Sequence, residues 1–455
     1  MRSLKNIYPK NIINRLFNLF KSRGYLFLGQ ICFLIGISLL ASALPISVFF
    51  LLISIFISLA KNVSKFLEDK WNIFLLILSL LMIISYVFKV FTIDNEEIIH
   101  LIKGSWIDLF NWLPLFLTFY TFQSYLANSK QRILFCKALL IGSIPVIFSC
   151  LTQNWLNWYG PFTTFFGLIT WFQKPFENPE SGITGLFNNP NYTSYWLATI
   201  LPFACFILIK NKSKKYKFLI YLLNSILIFY LLILTSSRNG LFSISISTLL
   251  VFSSKLIFSI ISIALAALIA INLFKSLLPL YIIEIIETVI PTKLLNKSFS
   301  ISEFNFNYLH RYDTYKNTVL FILKKPFFGW GASTFTIMYF LKSKISLTTH
   351  THNIFLELAY NYGVFASALF TIFVLKLLYE SYKIIKVKNK TGIDNINKFW
   401  VTSAFCSIIF HLNDMPYYDG KINLLFWILL SGLKCIIDED RKINFKKYMP
   451  IKNLS

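Results

Sequence analysis

Residues 72–91 read NIFLLILSLLMIISYVFKVF, a run of twenty positions whose only charged side chain is Lys89. An apolar run of this length can span the hydrocarbon core of a bilayer as one α-helix. The chain contains about twelve such runs, and each must be a helix because an isolated strand in lipid leaves its backbone unsatisfied. They lie near residues 25–42, 44–60, 72–91, 107–125, 133–151, 191–209, 218–235, 240–254, 256–280, 353–375, 399–413 and 421–437. The sequence therefore predicts an all-α polytopic membrane protein with about twelve transmembrane helices.

The composition agrees with this prediction. Of 455 residues, 56% are hydrophobic and 14% are charged, against roughly 25% charged residues in soluble domains. Such a chain has too little polar surface for a soluble enzyme, and it is too apolar to be disordered or fibrous. The net charge of +24 would suggest nucleic-acid binding in a soluble protein. Here the basic residues lie mostly between apolar runs, which is typical of membrane topology.

The basic residues of the short loops predict the orientation of the chain, because Lys and Arg favour the cytoplasmic side. The basic N-terminal segment, the loop 210–217 and the C-terminal tail are predicted to be cytoplasmic. The acidic loop 94–97 is then outside. The first apolar run is followed at once by a second, so two linked spans fit better than a cleaved signal peptide. Residues 1–455 are predicted to form one integral membrane domain.

Two predicted outward loops are long, at 152–190 and 281–351. Long loops inside a compact domain are commonly functional. The second is rich in apolar and aromatic residues, which favours an ordered segment. Its residues 282–287 read IIEIIE and could lie as an amphipathic helix at the membrane interface. We therefore expect the outer face to be the working face, with loop 281–351 carrying part of the site.

Arg238 lies in the short turn 235–240 between the seventh and eighth apolar runs. An arginine between two membrane helices is costly unless it has a partner. One interpretation is an interfacial anchor that contacts lipid phosphate. The other is a fixed anion receptor, because the guanidinium group presents a planar fork of donors that suits phosphate oxygens.

A second basic residue, Arg311, lies in the long outward loop and is followed by the segment 326–331, PFFGWG. Arg311 could simply pair with Asp313, a contact that would contribute little to stability. Gly329 and Gly331 flank a tryptophan, which suggests a tight turn or a close approach of two backbones.

Histidines are concentrated in the same loop, where His310, His350 and His352 account for three of the five in the chain. Two closely spaced histidines could bind zinc, but no cysteine lies on this side and the nearby acids are few. A histidine in a cavity at the membrane surface is better interpreted as a proton acceptor or a hydrogen-bond donor.

These segments resemble the O-antigen ligase and O-antigen polymerase superfamily. His352-Asn353, followed by Gly363, resembles its His-Asn…Gly signature, and residues 237–240, SRNG, resemble its Ser-Arg-x-Gly turn. Arg311 with the segment 326–331 resembles the superfamily's arginine upstream of Pro-x-x-Gly-x-Gly. A fourth segment, GLFNNPN at 185–191, resembles a Gly-x-Phe-x-Asn-Pro-Asn motif that opens a span and ends in Asn191.

Two positions depart from the pattern of the superfamily. The signature usually has a second glycine three residues after the first, and here that residue is Ala366. Many members have a basic residue three positions before the glycine of the Asn-Pro-Asn segment, and here that residue is Gly182. The second departure removes a possible phosphate ligand.

The resemblance implies a GT-C-like fold and glycosyl transfer at the outer, periplasmic face of the bacterial inner membrane. The donor would be a glycan on undecaprenyl diphosphate. The acceptor would be a lipid A–core sugar in a ligase, as part of lipopolysaccharide biosynthesis. In a polymerase it would be another lipid-linked repeat unit, and in some relatives it is a protein hydroxyl. The implied roles are base for His352, diphosphate binding for Arg238 and Arg311, and support for Asn353, Gly363, Gly329, Gly331 and Asn191.

The chemistry of the residues agrees with that implication. A departing diphosphate needs fixed positive charge, which Arg238 and Arg311 would supply. The outward side offers a carboxylate cluster only at 94–97, so we expect neither a metal ion nor another cofactor. The alternative class is a solute transporter, but carriers place ionisable residues near mid-membrane, and the predicted spans are almost free of charge there.

His352 is the candidate base because Asn353 is predicted to begin the tenth helix. The positive end of that helix would disfavour a charged imidazolium and keep the ring able to accept a proton. The structural alternative is that His352 only closes the loop through a hydrogen bond to a backbone carbonyl. His350 is the rival base, two residues earlier.

Overall fold

The computed structural model describes residues 24–62, 66–92, 100, 103–167, 169–173, 182–252, 301–343, 348–387 and 396–448. Within these ranges the chain is almost entirely helical. The first half contains α1 Tyr25–Leu39, α2 Leu44–Asn62, α3 Lys70–Thr92, α4 Trp106–Leu109, α5 Leu113–Thr121, α6 Gln123–Leu126, α7 Ser129–Gly142 and α8 Ile144–Leu156. A small antiparallel hairpin follows, β1 Phe162–Thr164 and β2 Ile169–Trp171, with Thr163 opposite Thr170.

The second half of the chain carries the helices that position the site. They are α9 Pro190–Lys210, α10 Lys215–Leu234, α11 Arg238–Phe252, α12 Ile301–Lys324, α13 Phe335–Ser343, α14 Ile354–Tyr362, α15 Val364–Val387, α16 Ile396–Asn413 and α17 Gly420–Tyr448. A short 3₁₀ turn, Pro416–Tyr418, joins α16 to α17.

Seven helices of the described ranges are long and apolar enough to cross a membrane. They are Leu44–Lys61, Lys70–Thr92, Ser129–Leu156, Pro190–Lys210, Lys215–Leu234, Val364–Val387 and Gly420–Ile443, where Ser129–Leu156 is α7 and α8 taken together as one span. The all-α, polytopic class is therefore confirmed. The number of about twelve spans stays a prediction. Two further apolar helices, α1 and α11, are shorter, and the predicted span 256–280 lies outside the described residues.

Two predicted spans differ from the observed helices. The fourth, 107–125, is divided into α4, α5 and α6. Pro114 lies at the start of α5, where it has no amide hydrogen to continue the hydrogen bonding of a preceding helix. The predicted start of the tenth span, 353–375, is wrong. The chain breaks at Gly363, and the membrane-length helix begins only at Val364.

The two predicted outward loops contain regular structure. Segment 152–190 includes the end of α8 and the β-hairpin. The described part of segment 281–351 includes α12, of 24 residues, and α13. Much of this segment is therefore helical, not an extended loop. The amphipathic helix predicted at 282–287 lies outside the described residues.

The core of the bundle lies around α9 and α17. The apolar windows of these two helices are 72% and 83% buried, against 28% for α2, α3 and α10. Helix α16 packs against α9, α11 and α17. Because α16 is surrounded in this way, its C-terminal end is a fixed platform on which the neighbouring turns can dock.

Candidate functional site

The loop 350–353 is held at the start of α14 by Asn353. The side-chain oxygen of Asn353 accepts hydrogen bonds from the backbone N–H groups of Phe355 and Leu356, at 3.0 and 3.1 Å. Asparagine is a preferred residue at this position because it satisfies donors that the first helical turn leaves unpaired. The prediction that a helix starts here is confirmed. His352 precedes it with a φ of 58°, a left-handed conformation that is uncommon for residues other than glycine.

His352 faces a carboxylate from a distant part of the chain. Its Nδ1 lies 3.3 Å from Oδ1 of Asp414, which is buried just beyond the end of α16. Burial raises the pKa of Asp414, but the contacts with His352, the charge of His350 and the backbone N–H of Met415 together outweigh that effect and lower the pKa below its usual range. A carboxylate on Nδ1 fixes the orientation of an imidazole ring and leaves Nε2 for chemistry.

His350 lies beside His352 but in a different environment. The two rings are 4.4 Å apart, and Nδ1 of His350 accepts the backbone N–H of His352 at 3.3 Å. Burial lowers the pKa of His350 to about 4, and the nearby His352 and Arg311 lower it as well. His350 is therefore neutral at pH 7, and its Nδ1 already has a partner within the loop.

The same three residues could hold a metal ion. One ligand atom from each of His350, His352 and Asp414 lies within 4.8 Å of the others. Two histidines and a carboxylate are a ligand set that zinc enzymes use. However, the Nδ1 atoms of both histidines already contact protein partners. The absence of a metal from the mechanism stays a prediction.

Asp414 is absent from the carboxylates that the sequence predicts on the outer side. That prediction contains only the cluster at 94–97, which the structure does not describe. The signal for Asp414 was available, because the predicted eleventh span, 399–413, runs from the inside to the outside and ends one residue earlier. Asp414 lies 62 positions from His352 along the chain. Closeness in sequence therefore does not indicate this contact, whereas the predicted ends of the helices do.

A buried glutamate supports the histidine loop from behind. Oε2 of Glu357 accepts the backbone N–H of Thr351 at 2.9 Å, and Oε1 accepts the hydroxyl of Tyr418 at 3.0 Å. Asn361 donates to Oε1 at 3.3 Å, and its carbonyl accepts Nζ of Lys89 at 2.6 Å. The loop is thereby tied to α3, α14 and the 3₁₀ turn.

Arg238 is the first residue of α11, and its side chain is exposed. Its neighbour Asn239 donates to the carbonyl of Phe410 in the last turn of α16, at 3.0 Å. Asn353 donates to the carbonyl of Leu412 in the same turn, also at 3.0 Å. The arginine turn and the histidine loop therefore dock on one helix end through equivalent amide contacts.

Arg311 lies on α12 and is also exposed. Its positive charge is close enough to contribute to the lowered pKa of His350. One turn later, the hydroxyl of Tyr315 lies 3.4 Å from the carbonyl of His352 and 3.5 Å from that of Leu412. Helix α12 thus approaches the same end of α16 from another direction.

The glycine segment 326–331 packs against the end of α14. Trp330 donates to the carbonyl of Tyr360 at 2.7 Å, and Val364 donates to that of Pro326 at 2.8 Å. A Cβ atom on Gly329 would collide with the carbonyl of Tyr360, and one on Gly363 with that of Phe327. Gly329, Gly331 and Gly363 all have positive φ values. The structure therefore gives these glycines a packing role that fixes the position of α14.

Residues 223–371 match a family model described as O-antigen ligase. This match supports the resemblance of the segment to the O-antigen ligase superfamily. The match covers about a third of the chain and includes Arg238, Arg311, His352, Asn353 and the glycine segment. No curated protein matches the chain. The resemblance stated from the motifs is confirmed, and a membrane enzyme of the glycosyltransferase type is supported.

The GLFNNPN segment, 185–191, precedes the matched residues. Asn189 caps α9 by accepting the backbone N–H of Asn191 at 2.8 Å. Lys421 of α17 donates to the carbonyl of Leu186 at 2.9 Å. The segment is therefore held against the start of α17, and Asn191 itself has the position of a helix-start residue.

The departure at Gly182 has a physical reason. Its neighbour Ile183 donates to the carbonyl of Leu234 at 3.2 Å, and a Cβ on Gly182 would collide with the carbonyl of Thr235. The turn that leads to Arg238 occupies the space that a side chain at 182 would need. A basic residue at this position would displace that turn.

Proposed function

We propose that the protein transfers a glycan from undecaprenyl diphosphate to an acceptor hydroxyl at the outer face of the inner membrane, as an O-antigen ligase that acts on lipid A–core. The match of residues 223–371 to the O-antigen ligase family model supports the broad reaction type. The 3.3 Å contact between His352 and Asp414 is the observation that carries the assignment of roles.

In the proposed mechanism, Asp414 accepts the Nδ1–H of His352, so Nε2 is the atom that accepts a proton. The acceptor hydroxyl attacks the anomeric carbon of the donor sugar. A carbon–oxygen bond forms there, the bond to the diphosphate oxygen breaks, and the hydroxyl proton passes to Nε2. General-base help of this kind typically contributes about 10²–10⁴-fold in rate.

The diphosphate that leaves takes up the negative charge that the broken bond releases. Arg238 and Arg311, both exposed and placed around the same helix end, would stabilise that charge. The bond to diphosphate supplies the driving force, which suits a compartment without ATP. We further propose that the termini are cytoplasmic and that this cluster faces the periplasm.

The test is the glycan phenotype of a deletion strain. Loss of the whole polymer from lipid A–core supports a ligase. A ladder that collapses to one repeat unit would assign the related polymerase reaction instead. An unchanged glycan, together with transport of a labelled solute by the purified protein in liposomes, would contradict the proposal. Transfer that persists in a chelator supports the metal-free mechanism.

A further inference from the structure

A cavity of about 650 Å³ lies at the opposite end of the helices that carry the site. Helix α15 begins next to Gly363 at the site, and Lys376 in the cavity wall lies twelve residues further on. Helix α17 begins next to Lys421, and Lys434 follows thirteen residues later. At 1.5 Å per residue the cavity is therefore about 20 Å from the site along the bundle, on the side that we predict to be cytoplasmic.

The wall of this cavity is strongly charged for a membrane bundle. It includes five basic and four acidic side chains. Lys434, which is buried, lies 2.8 Å from Asp69 and 2.5 Å from Asp438. Arg441 lies 2.9 Å from Glu380. Lys434 thus holds two carboxylates with a single positive charge, while Arg441 balances Glu380.

Three lysines of the wall have no such compensation. Among the described residues, Lys70, Lys376 and Lys442 make no salt bridge, and Glu68 is the remaining carboxylate of the wall. Nζ of Lys376 lies 5.5 Å from the ring of Trp71, in the first turn of α3, and 6.0 Å from that of Phe74. These rings attract the ammonium group but carry no net charge. With five basic and four acidic side chains, the wall therefore keeps a net positive charge.

The cavity also borders the surface that faces lipid. Ile73 and Leu76 of α3 and Leu375 of α15 are exposed apolar residues next to wall residues. Trp71 and Phe74 line the cavity itself. A ligand could thus place a charged group among the lysines while its apolar part stays in the membrane. Basic pockets between helices at the cytoplasmic side are a known form of phospholipid recognition.

We propose that this cavity binds the phosphate of an anionic phospholipid headgroup, with Lys376 and Lys442 as its main cationic contacts. The phosphate would lie between the two ammonium groups, and the acyl chains would follow the exposed side chains of α3 and α15. This site is separate from the glycosyl-transfer site and does not depend on the proposed reaction.

The experiment uses the full-length protein in a neutral detergent, with added phosphatidylglycerol or phosphatidylcholine. Retained lipid is measured by native mass spectrometry, and the melting temperature is measured in parallel. We expect preferential retention of phosphatidylglycerol. The double variant Lys376→Gln/Lys442→Gln should weaken that retention by about tenfold or more, because each lysine near a headgroup contributes about fivefold. The matched control is Lys212→Gln/Lys214→Gln, which removes two exposed lysines outside the cavity.

Each other outcome overturns a stated part of the proposal. Equal retention of the two lipids would exclude recognition of charge. Equal loss in the control variant would exclude the cavity as the location. Competition by millimolar inorganic phosphate would assign a soluble anion in place of a lipid. Glu68→Gln should have the opposite effect. It removes the remaining carboxylate of the wall, so it should increase the retention of phosphatidylglycerol. A decrease in that variant would also count against the proposal.

Discussion

The two ends of the helical bundle use charge in different ways. At the end away from the histidine loop, basic residues are paired with carboxylates, as in Lys434 with Asp69 and Arg132 with Glu439. At the end that carries the histidine loop, the turns are held by amide groups on backbone carbonyls, as with Asn239 on Phe410 and Asn353 on Leu412. The anchors at this end are neutral, and the nearby Arg238 and Arg311 are exposed. In the proposed mechanism, the charges that act on the substrate are thus separated along the helices from the ion pairs at the other end.

The largest effect should come from removal of the proposed base. We expect His352→Ala to reduce transfer by at least about 10²-fold while donor binding persists, because only proton transfer is lost. His350→Ala should reduce transfer far less. The measurement is the rate of glycan transfer by reconstituted protein, with donor binding assayed separately. If His350→Ala has the larger effect, the assignment of the base is wrong.

The next effect tests the two arginines beside the histidine loop. Arg238→Lys and Arg311→Lys should each reduce transfer by roughly 10- to 100-fold, because a point charge cannot replace a bidentate fork on a diphosphate. The same assay with a range of donor concentrations measures this. Full activity in the alanine variant at either position would remove that arginine from the mechanism.

Asp414→Asn tests the partner of the base and should have a smaller effect. The amide keeps the shape of the side chain but cannot accept the Nδ1–H of His352 as a carboxylate does. We expect a loss of about tenfold or more in transfer, in the range seen when a residue that orients a histidine is changed. The variant His352→Ala/Asp414→Asn should be no slower than His352→Ala alone. Additive losses would show that Asp414 acts independently of the histidine.

The smallest effect on transfer is expected at the end away from the histidine loop. Glu439→Gln removes the charged partner of the fully buried Arg132, which keeps its bonds to Leu126 and Asn397, and we expect a loss of roughly 1–3 kcal/mol in stability. Transfer by the protein that remains folded should be unchanged. Glu380→Gln is the matched control, because its partner Arg441 is 61% exposed. Thermal unfolding in detergent should show a change of no more than about 0.5 kcal/mol for that control.

The sequence predicted well those features that depend on local patterns. The span 191–209 corresponds to α9, Pro190–Lys210, and Asn353 begins a helix as expected. The length of an apolar run and the identity of a capping residue are local features, so they can be recognised without knowledge of the fold. The break at Gly363 was missed because the apolar pattern continues through it, while the contact that follows the break, from Val364 to the carbonyl of Pro326, involves another segment.

Only those residues of the candidate site that lie in short motifs were predicted from the sequence. Asp414, Tyr315 and Glu357 were absent from the predicted set, yet each contacts the histidine loop. Asp414 reaches His352 across 62 positions, and no single sequence states which helix ends meet. Burial of Glu357 likewise depends on the packing of α14 against its neighbours.

The last turn of α16 has a mechanical consequence. Its carbonyls at Phe410 and Leu412 hold the segments that carry Arg238 and His352, and Asp414 follows it directly. The final carbonyls of a helix have no partners within the helix, so they are natural points of attachment. If the bundle tilts or flexes within the membrane, Arg238, His352 and Asp414 move together, because the segments that carry them are attached to the same helix end. The distances between these residues then do not depend on the thickness and curvature of the surrounding bilayer.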